Sequence, residues 1–213
     1  MSLTEYRQKR RFGVTPEPSG GKKPNRKPDR ALAYVIHKHR ASHLHYDFRL
    51  EWDGVLLSWA VPKGPSLDPS VKRLATRVED HPVDYAGFEG VIPEGEYGGG
   101  TVTVWDQGTW ASDSGDANAG LASGELKFTL RGKKLRGSWV LVRTRGFGNQ
   151  PTRSSWLLIK HRDRYASTKD ITESQPHSVR SHRLLADIAR DEGGDVRKAE
   201  TGDPILQARG GRR

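Results

Sequence analysis

Tyr46-Asp47-Phe48-Arg49-Leu50-Glu51-Trp52-Asp53-Gly54-Val55-Leu56-Leu57-Ser58-Trp59-Ala60-Val61 is the stretch whose pattern decides the fold. Large apolar side chains alternate with polar ones up to Asp53-Gly54, and a second apolar run follows. Asp-Gly between two such runs marks a two-residue hairpin, because both turn residues must take a left-handed backbone. The turn fixes a register: Trp52 opposite Val55, Leu50 opposite Leu57, Phe48 opposite Trp59 and Tyr46 opposite Val61. Side chains two apart share a face of a strand. Tyr46, Phe48, Leu50 and Trp52 therefore make one apolar surface that belongs in a core. The other face carries His45, Asp47 and Arg49, with Pro62, Ala60 and Ser58 across from them. Small side chains opposite large polar ones leave room for a ligand.

Outward from this hairpin the chain keeps the same texture. Short strands are expected at 32–39, 44–52, 55–61, 101–106, 125–131, 138–144 and 155–161, separated by turn residues. That spacing reads as all-β, a small barrel or a sandwich. Trp105, Trp110, Trp139 and Trp156 alternate with apolar strand residues and are assigned to the core. One helix is expected near 181–192, where Leu184, Leu185, Ile188 and Ala189 share a face and Gly193-Gly194 supplies a stop. Residues 1–30, rich in Pro, Gly and Lys, read as an irregular basic arm, 31–192 as the domain, and 193–213 as a mobile tail.

Composition narrows the function. The 213 residues contain no cysteine, which excludes disulfides and Cys-ligated zinc, so any metal must sit on His, Asp or Glu. Mean hydropathy is −0.77. No apolar run reaches membrane-spanning length and the N-terminus lacks a signal-peptide apolar region, so a cytoplasmic protein is expected. The net charge of +10 is unevenly spread. Residues 1–30 carry 9 Lys/Arg against 3 Asp/Glu, and 131–165 carry 10 against 1, while 31–130 carry 8 against 14. Two basic blocks flanking an acidic centre suit a polyanion, nucleic acid first among them.

His45 and Asp47, two apart on one strand face, can grip a single metal. His39, from the preceding strand or its turn, offers a third ligand. Two imidazoles and a carboxylate suit manganese, iron or zinc. Arg49, next along the same face, can hold an anion beside them. His37 and His43 lie nearby and are left outside the ligand set. The Gly-rich stretch 95–100 lacks the Lys-Ser/Thr of a phosphate loop and reads as a tight loop. Two rival readings use the same residues. One is a nonhaem iron oxygenase with His81 or His161 as a further ligand. The other is a non-catalytic adaptor for DNA ends or a ligase.

Three longer blocks, HKHRASHLHYDFRLEWDGVLLSWAVPKGPSLDP, VEDHPVDYAGFEGVIPEGEYGGGTVTVWDQGTW and WLLIKHRDRYA followed by DITESQPHSV, closely resemble the 3′-phosphoesterase domain of bacterial and archaeal ligase D. The resemblance runs from about residue 5 to about 192. It implies a compact β-barrel with a hydrophobic interior, a few short helices and an active-site crescent on its surface. It implies a metal, typically manganese with zinc or cobalt as substitutes, on His39, His45 and Asp47. Arg49 and His81 match contacts to the scissile phosphate. Tyr85, Lys63 and Arg73 match further active-site positions, and Arg10, Thr15 and Glu17 match arm residues that fold back onto the site. The implied activity is removal of a terminal 3′ ribonucleoside, then hydrolysis of the remaining 3′-phosphate to 3′-OH, as end healing before nonhomologous end joining. Lys133, Lys134, Arg136, Arg143 and Arg145 of the basic stretch are then expected to hold DNA, in a nucleoid-associated protein.

The chain departs from that family in two ways. Lys9-Arg10-Arg11-Phe12 stands where the family usually has Lys-Arg-Asp-Phe. No Lys-x-Asp-Gly nucleotidyl-acceptor motif occurs, so a stand-alone domain is expected, meeting a separate ligase, polymerase and end-binding protein.

Overall fold

Asp53 and Gly54 both take positive φ, 47° and 79°, and the hairpin they close has the register read from the sequence. This holds in a computed structural model, which describes residues 2–21, 31–144 and 155–205. The strands are β1 Leu32–Arg40, β2 Leu44–Trp52, β3 Val55–Val61, β4 Lys72–Pro82, β5 Gly90–Ile92, β6 Gly100–Ser112, β7 Glu125–Gly132, β8 Arg136–Arg143 and β9 Ser155–Lys160. Neighbours run β1-β2-β3-β4-β9-β8-β7-β6, and β6 pairs back onto β1. Eight antiparallel strands thus close into a barrel, and closure removes the free edges a sheet would otherwise expose. β5 is a short flap on the first residues of β6.

The barrel is filled by the hairpin's apolar face and its counterparts. Phe48, Leu50, Leu57, Trp59, Trp105, Trp110, Phe128, Trp139 and Trp156 belong to one buried cluster. Outside β1 and β2 lies a second cluster that includes Tyr6, Val35, Leu56, Tyr85 and Ile92. It is supplied by helix α1 Thr4–Gln8, a 3-10 turn at Val83–Gly87 and β5. The central residues of β1 and β2 are consequently buried on both faces. That double cover creates the cleft described below.

Two bulges bend the walls. Ile36 pairs with Asp106 but His37 pairs with Val104, which leaves Trp105 as an extra residue. The shift lets Trp105 and Trp110, five apart, both point inward. Opposite β3, Leu56 pairs with His81 and Ser58 with Val78, so β4 carries an extra residue between them. Val78 and Glu79 can then both face outward together with His81.

Several elements differ from the sequence expectation. β4 and β5 were not anticipated, and β6 runs on to Ser112. The arm contains α1, whose Tyr6 is fully buried and donates its hydroxyl to the Pro18 carbonyl at 2.6 Å. Helix α2 Ala117–Ser123 starts at Asp116, which accepts from Asn118 N–H, and ends at left-handed Gly124. Helix α3 Ile171–Ser174 is short. Helix α4 Leu185–Asp191 falls where expected, with Gly194 N–H donating to the Ala189 carbonyl beyond it. Within the stretch assigned to a tail, helix α5 Val196–Glu200 packs Ala199 against Leu185. Arg145, and the arm residues 22–30, lie outside the described residues.

Candidate functional site

His39 near the end of β1 and His45 near the start of β2 are paired across their shared edge, with ring centroids 4.7 Å apart. Asp47 follows two residues on. Its Oδ2 lies 3.6 Å from His39 Nδ1, 3.6 Å from His45 Nε2 and 3.2 Å from Arg49 Nη2. One ligand atom from each of His39, His45 and Asp47 falls within 4.8 Å of the others, the one such group among the described residues.

The outer nitrogens settle the inner ones. His39 Nε2 donates to the Gly98 carbonyl at 2.8 Å, and His45 Nδ1 donates to the His43 carbonyl at 3.0 Å. A carbonyl only accepts, so in the neutral rings His39 Nδ1 and His45 Nε2 are bare lone pairs. Both face a carboxylate oxygen. Three acceptors converging on one point need a proton or a cation between them. Backbone-anchored imidazoles are also how metal-binding histidines are oriented. The donor set therefore fits a divalent cation. Burial opposes charge on His45, but Asp47 outweighs it and raises the His45 pKa. For His39 burial wins and the pKa falls. Asp47 is buried too, yet Arg49 and His45 hold its pKa well below the usual carboxylate range.

Arg49 is buried and Arg10 nearly so. Arg49 Nη1 donates to Ser58 Oγ at 2.8 Å, the small residue opposite it on β3. Arg10 Nε donates to Glu17 Oε1 at 2.9 Å and Nη1 to Glu79 Oε1 at 3.3 Å, while Thr15 Oγ1 donates to Glu17 Oε2 at 2.9 Å. The guanidinium lies 3.8 Å above the Tyr6 ring. The arm thus delivers Arg10 to the cleft. His81 sits between the two guanidiniums. Its Nε2 is 3.2 Å from Arg10 Nη2, and its Nδ1 is 2.8 Å from Arg49 Nη1 and 2.9 Å from the Glu79 carbonyl. Nδ1 cannot accept from one and donate to the other. With Nε2 accepting from Arg10, Nδ1–H donates to Glu79, and Arg49 is satisfied by Ser58 and Asp47. Burial, then Arg49 and Arg10, push the His81 pKa well below its ordinary value. The free protein therefore favours neutral His81.

These residues line a cleft of about 290 Å³ on the outside of the barrel, with Ala60, Tyr85 and Tyr97 completing its walls. Tyr85 is buried, its ring 4.9 Å from His81 and 5.1 Å from Arg49 Cζ. Lys63 and Arg73 are not in this cleft. They line a separate concavity with Lys38, Asp170 and Glu173. Arg11 also stays out, exposed and paired with Glu96. His161 bonds Ser138 Oγ at 2.8 Å, outside the cleft.

The basic residues of β8 and of the β7–β8 turn lie across the barrel from β2 and β3. Lys134 Nζ donates to the carbonyls of Gln175 and His177, both at 2.7 Å. Arg136 Nε donates to the Gly132 carbonyl, and Arg143 to the Leu121 and Ala122 carbonyls at the end of α2. The Lys133 side chain has no such engagement among the described residues.

The sequence reading missed four participants. His37 is fully buried and accepts from Arg49 Nε at 3.4 Å, with its pKa lowered to about 3 by burial and Arg49. Its position two before His39 was the available signal. Glu79, Tyr97 and Gly98 carried none, because β4's bulge and the loop's path are tertiary features.

Fold and cleft together define a β-barrel protein whose site sets two imidazoles and a carboxylate beside two guanidiniums, a composition suited to phosphate. Residues 37–143 match the model of the DNA Ligase D 3′-phosphoesterase domain. The multifunctional non-homologous end joining protein LigD of Pseudomonas aeruginosa is 54% identical over 186 residues, 86% of this chain and 22% of that protein. The multifunctional non-homologous end joining DNA repair protein LigD of Mycobacterium tuberculosis is 47% identical over 146 residues, 68% of this chain and 18% of that protein. The LigD of Mycolicibacterium smegmatis is 39% identical over 166 residues, 76% of this chain and 21% of that protein. The chain belongs to the DNA ligase D 3′-phosphoesterase domain family, and it spans about a fifth of the length of these relatives. No helix among the described residues is long and apolar enough to cross a membrane.

Proposed function

We propose that the chain is a metal-dependent phosphoesterase that heals DNA 3′ ends in non-homologous end joining, with manganese held by His39, His45 and Asp47. The observation that carries this reading is the convergence of two imidazole lone pairs and a carboxylate oxygen beside the Arg49 guanidinium. A divalent cation there supplies a Lewis acid for a phosphoryl oxygen.

The chain's own residues do the rest. Arg49 and Arg10 grip the phosphate and stabilise the negative charge that grows at phosphorus. A bound phosphate offsets the guanidinium charge and so relieves that part of the suppression of His81 protonation. His81 Nε2 then carries the proton for the leaving oxygen, while Nδ1–H stays fixed on the Glu79 carbonyl. In ribonucleoside removal, water attacks phosphorus, the P–O5′ bond breaks and a 3′-phosphate remains. In the second step a further water attacks the 3′-phosphate, P–O3′ breaks, inorganic phosphate leaves and the O3′ takes up a proton to give the 3′-OH for a ligase. Glu17 and Glu79 hold Arg10 in place, and Tyr85 closes the floor beneath His81 and Arg49.

The test uses the full chain with a primer-template ending in a 3′-phosphate or a single 3′ ribonucleotide, with manganese. Release of phosphate or nucleoside is expected, and its loss in His39→Ala, His45→Ala and Asp47→Ala. Unaltered ends in the wild-type reaction would overturn the reading.

A further inference from the structure

The Asp170–Val179 block takes no part in the cleft. Its second half runs beside β6, where Val179 N–H donates to the Val104 carbonyl at 2.9 Å. It fills the edge of β6 left open between β5 and β7. Between this segment and the β7–β8 turn lies a concavity of about 490 Å³, larger than the cleft.

Its lining includes Lys133, Lys134, Gln175, His177 and His182, and among the described residues no carboxylate lines it. In a chain with 26 Asp and Glu, a wall of two lysines and two histidines without an acid is a selective arrangement. Lys133, Gln175 and His182 have no side-chain partner among the described residues. Two carboxylates act on the wall from outside its lining, Asp187 on His177 and Asp106 on Lys134, and both also have other partners. Asp187 accepts from Leu184 N–H and Arg190, and Asp106 accepts from Tyr34 and from the Lys134 and Leu135 N–H groups.

Two further observations point to a ligand. His182 takes a left-handed backbone, φ 61°, one of only two non-glycine positive-φ residues described, and the other is the hairpin Asp53. Such conformations persist where surrounding structure enforces them and gather at binding sites. Lys134 Nζ lies 4.3 Å above the Trp105 ring, pinned by two carbonyls that take two of its three N–H groups. Among the described residues the third N–H is not taken by a carbonyl. Burial lowers its pKa to about 7, and an anion beside it reverses that shift.

We propose that this concavity is a second anion-binding site that takes a phosphate group, held by Lys133, Lys134, His177 and His182. The phosphate can be a backbone phosphate of nucleic acid or a free phosphate compound, and both present the same chemistry to these donors.

The test follows the ring resonances of His177 and His182 in the full chain, which report this site whether or not the cleft is catalytic. The probes are inorganic phosphate and a blunt duplex oligonucleotide. Both rings are expected to shift saturably with phosphate, with affinity at least about tenfold weaker in Lys133→Gln/His182→Asn. Asparagine tolerates the left-handed backbone, and the bond from position 133 to the Gln107 carbonyl is made by the backbone N–H, which the substitution keeps. If nucleic acid is the source, the duplex shifts the same rings and the variant's salt slope of duplex binding falls by about 1. If a free anion is the source, duplex affinity is the same in both proteins while phosphate binding is lost. Rings indifferent to both probes, or phosphate binding unchanged in the variant, would overturn the proposal.

Discussion

His81 Nε2 and Arg10 Nη2 lie 3.2 Å apart in a cleft where Arg49 approaches the same ring from its other nitrogen. A buried imidazole between two guanidiniums resists protonation. Its pKa is depressed by burial first, then by Arg49 and Arg10. The unfolded chain, by contrast, binds a proton on this residue below about pH 6.5. Unfolding therefore takes up a proton in acid, and stability falls as pH drops below that value. The ceiling for one such group is about 1.4 kcal/mol per pH unit. Chemical denaturation at pH 7 and 5.5 should show this loss in the wild type and a loss smaller by about 1 kcal/mol in His81→Asn. Parallel pH profiles for the two proteins would mean that His81 is not held neutral.

Arg143 separates a structural role from a DNA-binding one. Its guanidinium donates to the last carbonyls of α2 and lies 5.7 Å from the Trp156 ring. Cations at a helix C-terminus contribute about 0.3–1 kcal/mol. Arg143→Ala should cost about that much in stability and leave the salt slope of DNA binding unchanged. A slope reduced by about 1 with stability intact would restore it to the DNA contacts expected from the charge pattern.

What was legible in the sequence and what was not divides along physical lines. The Asp53-Gly54 turn is a local signal, and it carried the register of β2 and β3, the inward apolar face and the outward His45-Asp47-Arg49 row. β4 was invisible because Lys72–Pro82 breaks strict alternation. Its bulge sets Val78 and Glu79 on one side, and its outer face is polar because it walls the cleft. β6 was cut short at Asp106 because the bulge at Trp105 resets its period. The charge of 131–165 was plain, but the carbonyls that Lys134 and Arg143 bind come from α2 and from 175–177, far off in sequence. Lys63 and Arg73 line a different concavity together with Lys38 and Tyr46, which alternate with the cleft residues along β1 and β2, a separation that needs coordinates.

The hairpin itself can be tested in isolation from the cleft. Gly54 has φ 79°, and an added Cβ would meet nothing within 4 Å. Space is free, so the cost of Gly54→Ala comes from the left-handed backbone alone, about 1 kcal/mol. Equilibrium unfolding should report that loss with no change in metal response. A loss several times larger would mean that the turn fixes more than the β2–β3 pairing.

The cation site makes the strongest demand. His39 Nδ1 and His45 Nε2 face Asp47 Oδ2, each from 3.6 Å, with their other nitrogens anchored on carbonyls. A cation that binds only the folded chain stabilises it by about 2.7 kcal/mol when free metal is 100 times Kd. For a chain of this size about 1 kcal/mol moves Tm by roughly 2–4 °C, so manganese in excess should raise Tm by several degrees. His45 is the most exposed of the three, its side chain 23% accessible, so His45→Ala removes a ligand with little loss of packing. That variant should keep most of its basal stability and lose the response to manganese. Protons compete for the same lone pairs, and Asp47 raises the His45 pKa, so the response should begin to fade above the ordinary histidine value of about 6.5 as pH drops. A wild-type Tm indifferent to manganese at pH 7.5, and to zinc and cobalt as well, would remove the cation from this site and with it the proposed chemistry.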